Sequence, residues 1–507
     1  MSSENKILLG LSGDAEIGLY TKMANRHGMI AGATGTGKTV TLKVMAEEFS
    51  ALGVPVFLAD IKGDLSGMCA KGSVENADSF PTCFWDVYGE AGIPLRATVS
   101  EMGPLLMSRI LSLNEIQSDI LTVIFKIADD EGLLLTDTKD LRAMLNYISE
   151  NSKEFSLNYG NMSPQSLGAI IRAVIALEAE GGDKFFGEPA FDVKDWFKTV
   201  DGKGVVNILE CQKLFLNPTM YSTFLLWMLS EMFETLPEAG DQAKPKMVFF
   251  FDEAHILFEN ASRELLSKIE QVVKLIRSKG VGIYFITQNP KDIPGGVLAQ
   301  LGNKIQHALR AYTPAEQKAV KIAAESFRPN PAFDTFETIQ ALGIGEALVS
   351  VLDEQGIPTV VERTKVRFPY SLMGPVDADY QKVEIEGNPL YEKYITPVDE
   401  DSAYEFLQRQ AVADAEAAEE AAVQKEAITL QQKQSEMDRK KAERAEQLRQ
   451  KQIQRTTKSV ARSAAGTIGR EIGKELGSSI GGSFGRRLGG NMGASLARGL
   501  VGTFFKS

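Results

Sequence analysis

Gly32-Ala33-Thr34-Gly35-Thr36-Gly37-Lys38-Thr39 is the stretch whose reading decides the fold. It fits the pattern GxxxxGKS/T, and Met29-Ile30-Ala31 ahead of it has the apolar character of a buried strand. The glycines let successive backbone N–H groups turn inward around phosphate oxygens, where a Cβ would obstruct. In such a loop Lys38 reaches the terminal phosphates and Thr39 places its hydroxyl on Mg²⁺. Leu42, Met45, Phe49 and Leu52 then recur at helical spacing until Gly53, so the spacing predicts a helix whose positive end faces the phosphates.

Working outward, Val54 to Asp60 is an apolar run too short for a helix and ending in an acid, as a buried parallel strand would. Asp60 and Asp64 then fall at the carboxyl edge of a sheet, either as a polar turn or as ligand-facing groups. Residues 7 to 12 read as a short strand, with no room before Gly32 for a separate domain. From 100 to 190 apolar residues recur at helical spacing without strand runs, which predicts a helical insertion, left through Gly181-Gly182 and Gly187-Glu188-Pro189. Val205 to Leu209 resumes the sheet, and 219 to 236 is a helix apolar on nearly all sides. Strands are predicted at Val248 to Asp252, Val281 to Gln288, Lys304 to Arg310, Ala347 to Leu352 and Thr359 to Glu362. With helices between them, this alternation predicts a parallel sheet covered on both faces.

The second stretch that carries chemistry is Val248-Phe249-Phe250-Phe251-Asp252-Glu253. Asp252 suits Mg²⁺, and Glu253 suits orienting and deprotonating an attacking water, the parts that phosphoryl transfer needs beside the loop lysine. Gln288, ending a neighbouring strand, suits a sensor of the γ-phosphate or the water. Arg310 and Arg277 are either surface arginines or candidates for an arginine finger acting across a subunit interface. No Asn-Lys-x-Asp is present to read guanine, because Asn303-Lys304-Ile305-Gln306 lacks the acid, so ATP is the expected nucleotide.

The net charge of −12 is unevenly spread. From Lys451 onward ten Lys or Arg stand against Glu471 and Glu475, about +8, which leaves roughly −20 on the acidic body. Cys69, Cys83 and Cys211 match no metal spacing and read as reduced core thiols of a cytosolic protein. No export signal and no stretch of roughly eighteen apolar residues is visible, so a cytoplasmic protein, peripheral at a membrane at most, is expected. Residues 402 to 455, rich in Ala, Glu, Gln, Lys and Arg, predict a long solvated helix or an oligomer-forming coil, with apolar positions too sparse for a convincing heptad.

The last segment repeats every four residues. Ile468, Ile472, Leu476, Ile480, Phe484 and Leu488 are each followed by glycine, and the pairing of an apolar with a small residue persists almost to the end. Glycine at that spacing permits close helix packing at a cost of about 1 kcal/mol per Gly relative to Ala. With interleaved arginines and lysines, residues 461–507 predict an anionic partner, lipid membrane or nucleic acid, or a helical partner, or else a flexible basic linker.

Taken together, Arg26 to Thr39, the Phe249 to His255 run, and the Arg277 helix followed by Ile286-Thr287-Gln288 resemble the HerA and FtsK superfamily of DNA-pumping ATPases, nearest to bacterial HerA-like helicases of about this length. The resemblance covers roughly residues 7 to 370. It implies a RecA-like core, homo-hexameric rings with sites at subunit interfaces, ATP with Mg²⁺, and translocation of double-stranded DNA. By that likeness Lys38 and Thr39 match the phosphate-loop pair, Asp252 and Glu253 the metal and base pair, Gln288 the sensor and Arg310 the finger. HerA itself carries a β-barrel before its phosphate loop, for which this sequence leaves no room, so the nuclease partnership that goes with the barrel does not transfer.

The expected fold is α/β: a RecA-like P-loop NTPase core with a helical insertion and a helical C-terminal extension. The expected segments are 1–99 and 196–370 for the two parts of the core, 100–195 for the insertion, 371–460 for a linker and charged helix, and 461–507 for the glycine-repeat tail. The leading functional expectation is an ATP-hydrolysing ring motor on DNA. Two others stand beside it: a membrane-tethered coupling ATPase for DNA or protein transport, and a nucleotide-dependent scaffold with slow hydrolysis.

Overall fold

The structure is a computed structural model that describes residues 6–456 apart from Asp241, Asn260, Ser262 and Glu400. The glycine-repeat segment 461–507 lies outside the described residues. One compact unit runs to Ala413 and a second begins at Asp414.

In chain order the strands are β1 (Lys6–Ser12), β2 (Ala15–Tyr20), β3 (Gly28–Ala31), β4 (Val56–Asp60), β5 (Thr82–Asp86), β6 (Ile93–Pro94), β7 (Thr199–Val200), β8 (Lys203–Gly204), β9 (Val206–Glu210), β10 (Met247–Phe251), β11 (Val281–Thr287), β12 (Asn303–His307), β13 (Glu346–Ser350) and β14 (Glu362–Val366). Among the described residues β7 and β8 form a separate hairpin, and the other twelve make one sheet in the order β2-β1-β14-β13-β12-β3-β11-β10-β4-β9-β5-β6. From β12 to β6 all neighbours are parallel.

The expectation of a wholly parallel sheet is corrected at the other end, where β13, β14, β1 and β2 pair antiparallel. A parallel return needs a crossover of a dozen or more residues, usually a helix. The segment between β13 and β14 instead folds back on itself through a bridge between Leu352 and Pro358, so the strand predicted at Thr359 to Glu362 forms later, at Glu362–Val366. The strand predicted from Lys304 to Arg310 likewise ends at His307.

The central strands β3, β4, β10 and β11 are apolar at nearly every position because successive side chains serve opposite faces, and both faces are covered. On one face Ile30, Val56, Leu58, Val248, Phe250 and Ile286 pack under the Lys38–Ala51 helix. On the other, Met29, Phe57, Phe249, Phe251 and Phe285 share one core with the buried Pro218–Thr235 helix and the helical region. That region has helices at Val99–Ile110, Glu115–Glu131, Thr138–Glu150, Ser152–Tyr159 and Pro164–Ala179. Thr98 with Glu101, Asn114 with Gln117, and Asp137 with Asp140 are capping boxes, each satisfying orphan N–H groups where a helix begins.

The Lys38–Ala51 helix is buried on its polar side as well. Glu47, with no side-chain exposure, accepts from Arg367 Nη1 (3.0 Å), the Tyr370 and Ser371 backbone N–H groups (3.0 and 2.9 Å) and Ser371 Oγ (2.7 Å). Arg367 Nη2 also donates to Glu48 Oε1 at 3.0 Å. The chain leaving β14 is thereby clamped across the helix that follows the phosphate loop. Cys69, Cys83 and Cys211 are buried free thiols. A single helix, Ala403–Thr456, covers the charged stretch predicted from 402 to 455.

Candidate nucleotide site at the carboxyl edge of the sheet

The phosphate loop leaves β3 between β11 and β12, and both neighbours hold it. Gly32 N–H donates to Thr287 O (3.2 Å) and Ala33 N–H to Ala308 O (2.9 Å), while Gly345 N–H donates to Thr36 O (3.1 Å). Thr36 Oγ1 ties the loop across itself to Ala33 O at 2.7 Å. A Cβ on Gly32 would lie 2.5 Å from the Cβ of His307, and Gly37 caps the helix at φ +112°, so both positions require glycine. The helix starts at Lys38, leaving its first-turn N–H groups without intrahelical acceptors and turned toward the loop.

Lys38 Nζ donates to Gly32 O (2.7 Å) and Ala33 O (3.1 Å), which curls the side chain over the loop. Burial lowers its pKa, and the carboxylates of Asp252 and Glu253 oppose that shift, placing both acids within electrostatic reach of the ammonium. Asp252 follows β10 directly. Its carbonyl accepts from Tyr221 Oη (3.0 Å), and its Oδ1 accepts from the Glu253 N–H (2.9 Å). Burial and the neighbouring Glu253 push the Asp252 carboxyl up to about 6. Thr39 hydroxyl and Asp252 carboxylate are hard oxygen donors, a set that fits Mg²⁺, and a cation there would offset the repulsion between the adjacent acids.

Glu253 has φ +46°, a left-handed conformation uncommon outside glycine and one that stores strain at functional sites. The turn aims its carboxylate at Gln288, just past β11, whose Nε2 donates to both Oε1 and Oε2 at 3.4 Å. Because β10 and β11 are adjacent and in register, residues 35 apart in sequence meet at one edge.

Arg310 lies three residues beyond β12, and its Nη2 donates to Leu342 O at 2.9 Å. With Ala33, Thr34 and Gln288 it lines an open cleft of about 620 Å³. Arg277 is elsewhere. It sits in the Ile276–Lys279 turn that precedes β11, at the opposite edge of the sheet, near His27. The seven residues of β11 separate the two edges by about 20 Å. Asp60, left open between a turn and a ligand contact, accepts from the N–H groups of Gly63 (2.7 Å), Asp64 (3.2 Å) and Leu65 (2.8 Å), so its carboxylate shapes the turn.

Two residues of the site were not singled out by the sequence reading. Lys62, exposed in the turn after β4, acts electrostatically on both Lys38 and Asp252. His307, buried at the end of β12, is 2.8 Å from Thr41 Oγ1 through Nε2 and 2.9 Å from Glu346 O through Nδ1. Since a carbonyl only accepts, Nδ1 carries the proton and Nε2 accepts from Thr41, and burial lowers the imidazole to about 4. The clue in the sequence was a histidine closing a strand, whose meaning depended on which strand lies beside β3.

The Helicase HerA-like C-terminal family model matches residues 6–488. The chain belongs to this family. Within the HerA-like family it is 25% identical over 365 residues to the DNA double-strand break repair helicase HerA of Sulfurisphaera tokodaii, covering 68% of this chain and 67% of that protein. With the helicase of the same name from Saccharolobus solfataricus it shares 24% over 359 residues, 69% of this chain and 66% of the relative. The chain thus spans about two thirds of the length of these HerA relatives. The bacterial conjugative coupling protein TrwBdeltaN70 superposes with a TM-score of 0.51 at 14% identity, over 75% of this chain and 92% of that one, a likeness of fold. The fold of this HerA-like chain is therefore the α/β, RecA-like P-loop ATPase core expected from its motifs.

Proposed function

We propose that this chain is an ATP-hydrolysing motor that assembles as a homo-hexameric ring and moves along double-stranded DNA. The observation that carries the reading is the convergence beside the phosphate loop of Lys38 with Asp252 and Glu253, and of Glu253 with Gln288. In it Gly32 to Thr39 cradle the phosphates with backbone N–H groups, and Lys38 turns from the Gly32 and Ala33 carbonyls to the terminal phosphate. Thr39 and Asp252 hold Mg²⁺, which supplies charge neutralisation at the transferring group. Gln288 fixes the Glu253 carboxylate and orients the water; Glu253 takes the water's proton as its oxygen bonds to the terminal phosphorus, the bond from that phosphorus to its bridging oxygen breaks, and ADP leaves. Arg310 offers charge within its own subunit's cleft. Arg277, at the opposite edge, is out of reach of its own subunit's cleft, so a finger role for it requires a neighbouring subunit. Family membership supports the DNA substrate, and the acidic body favours contacts confined to a pore over a broad basic face.

The test is ATP turnover with and without duplex DNA at low salt. Stimulation by duplex DNA is expected, with GTP turned over more slowly than ATP. Turnover unchanged by DNA at any salt counts against the motor reading. A second reading is a coupling ATPase held peripherally at a membrane, otherwise cytoplasmic, favoured by the basic glycine-repeat segment 461–507. It predicts that deleting that segment moves the protein from the membrane fraction to the soluble one.

A further inference from the structure

From Asp414 onward the Ala403–Thr456 helix belongs to a unit of its own, and nearly every described side chain there is exposed. A helix solvated on all sides is expected to be polar all round. Yet Val423 (62%), Leu430 (59%), Met437 (59%) and Leu448 (66%) stand largely exposed. They are spaced by seven, seven and eleven residues. At about 100° per residue a step of seven drifts about 20° one way and a step of eleven about 20° the other, so the four side chains stay within about 40° on one face. A strict heptad misses this stripe because its last step is eleven. Ala427, Gln434, Lys441 and Ala445 fill the intervening places, and the seam from Val423 to Leu448 advances only by threes and fours.

Charge along the helix is polarised. Residues 414–427 carry five acids against Lys425 alone, whereas residues 441–455 carry five Lys or Arg against Glu443 and Glu446. Apart from Leu448, the seam residues fall in nearly symmetric pairs about Gln434. Leu430 and Met437 lie four and three residues from it, Ala427 and Lys441 seven each, Val423 and Ala445 eleven each.

We propose that this face pairs with the same face of a second copy of the chain, antiparallel, with Gln434 at the two-fold axis. In that register Leu430 meets the partner's Met437, Val423 meets the partner's Ala445, and the two Gln434 amides, each both donor and acceptor, meet each other. A central polar layer of this kind specifies register. The antiparallel arrangement lays the acidic stretch of each copy along the basic stretch of the other. A parallel pair would set acid beside acid and base beside base, which is destabilising. The pairing is independent of the nucleotide site and joins two copies through their extensions, whatever ring their ATPase cores form.

The test is disulfide capture under mild oxidation in the full chain, whose own thiols, Cys69, Cys83 and Cys211, are buried. Gln434→Cys is expected to give a cross-linked dimer, Val423→Cys alone to link at least about tenfold more slowly, and Val423→Cys with Ala445→Cys to link readily. Adding Leu430→Glu and Met437→Glu, both at exposed positions, is expected to slow linking through Gln434→Cys by about tenfold or more, because the seam is lost. Equal linking by Val423→Cys and Gln434→Cys would show a parallel bundle and overturn the proposal. Absence of linking in every variant, or linking indifferent to the two glutamates, overturns it as well.

Discussion

Gln288 and Glu253 face each other across the ends of two adjacent parallel strands, the glutamine Nε2 3.4 Å from each carboxylate oxygen. The contact is long for a hydrogen bond and leaves room for the amide to serve a water as well. Glu253→Gln is expected to lower ATP turnover by about 10²-fold or more while nucleotide binding survives, since removing a general base costs about 10²–10⁴. Gln288→Ala should cost less, because the base itself is kept. Single-turnover hydrolysis and nucleotide binding measured side by side check both, and undiminished turnover in Glu253→Gln removes that residue from the chemistry.

Arg310 and Arg277 lie at opposite edges of the sheet, and mixing experiments separate their roles. Lys38→Ala subunits combined with Arg310→Ala subunits should stay inactive, since every cleft then lacks either its lysine or its own arginine. Lys38→Ala combined with Arg277→Ala should regain turnover at mixed interfaces. Recovery in the first mixture would place Arg310 in trans.

The buried Glu47–Arg367 pair, 3.0 Å apart, yields a stability prediction. Arg367→Ala leaves Glu47 and Glu48 without their guanidinium partner on the phosphate-loop helix, and breaking a buried pair from one side costs about 3–5 kcal/mol. Denaturant unfolding should register that loss. A change below about 1 kcal/mol, the range of exposed pairs, would show that the clamp contributes little.

His307 makes stability pH-dependent in a defined window. Folded, its imidazole takes a proton only near pH 4, whereas in the unfolded chain it does so near 6.5. As pH falls from 6.5 toward 4 the unfolded state binds the proton that the folded state refuses, so stability drops by roughly 3 kcal/mol and then levels off. His307→Gln should flatten this part of the pH profile relative to the unsubstituted protein, an outcome read by unfolding at several pH values. Parallel profiles for the two proteins would argue against the assignment.

The features legible in the sequence were those with a local cause. Glycine at 32 and 37 and the apolar runs of β3, β4, β10 and β11 are demands of backbone and periodicity, visible wherever they occur. The acids after Phe251 and the glutamine after Thr287 were found because a parallel strand presents its last residues at the edge where the phosphate loop lies. What escaped depended on neighbours distant in sequence. Lys43, Glu47 and Glu48 are buried on the Lys38–Ala51 helix only because the segment after β14 covers them, Lys43 Nζ donating to Leu372 O and both glutamates accepting from Arg367. The antiparallel end of the sheet escaped because strand direction is set by the course of a connection: β13 runs against β12 although helices at Pro314–Glu325 and Thr335–Ala341 separate them.

By itself the sequence determined a strand, a phosphate loop and a helix, an acid pair on a second strand and a glutamine on a third, because each is specified by residues within a few positions of one another. Only the tertiary structure decided that β3 lies between β11 and β12. That placement sets His307 beneath Gly32 and brings Arg310 into the cleft. Strand order is a choice among pairings between segments far apart in the chain, made by which apolar faces bury best together, and no local periodicity records it.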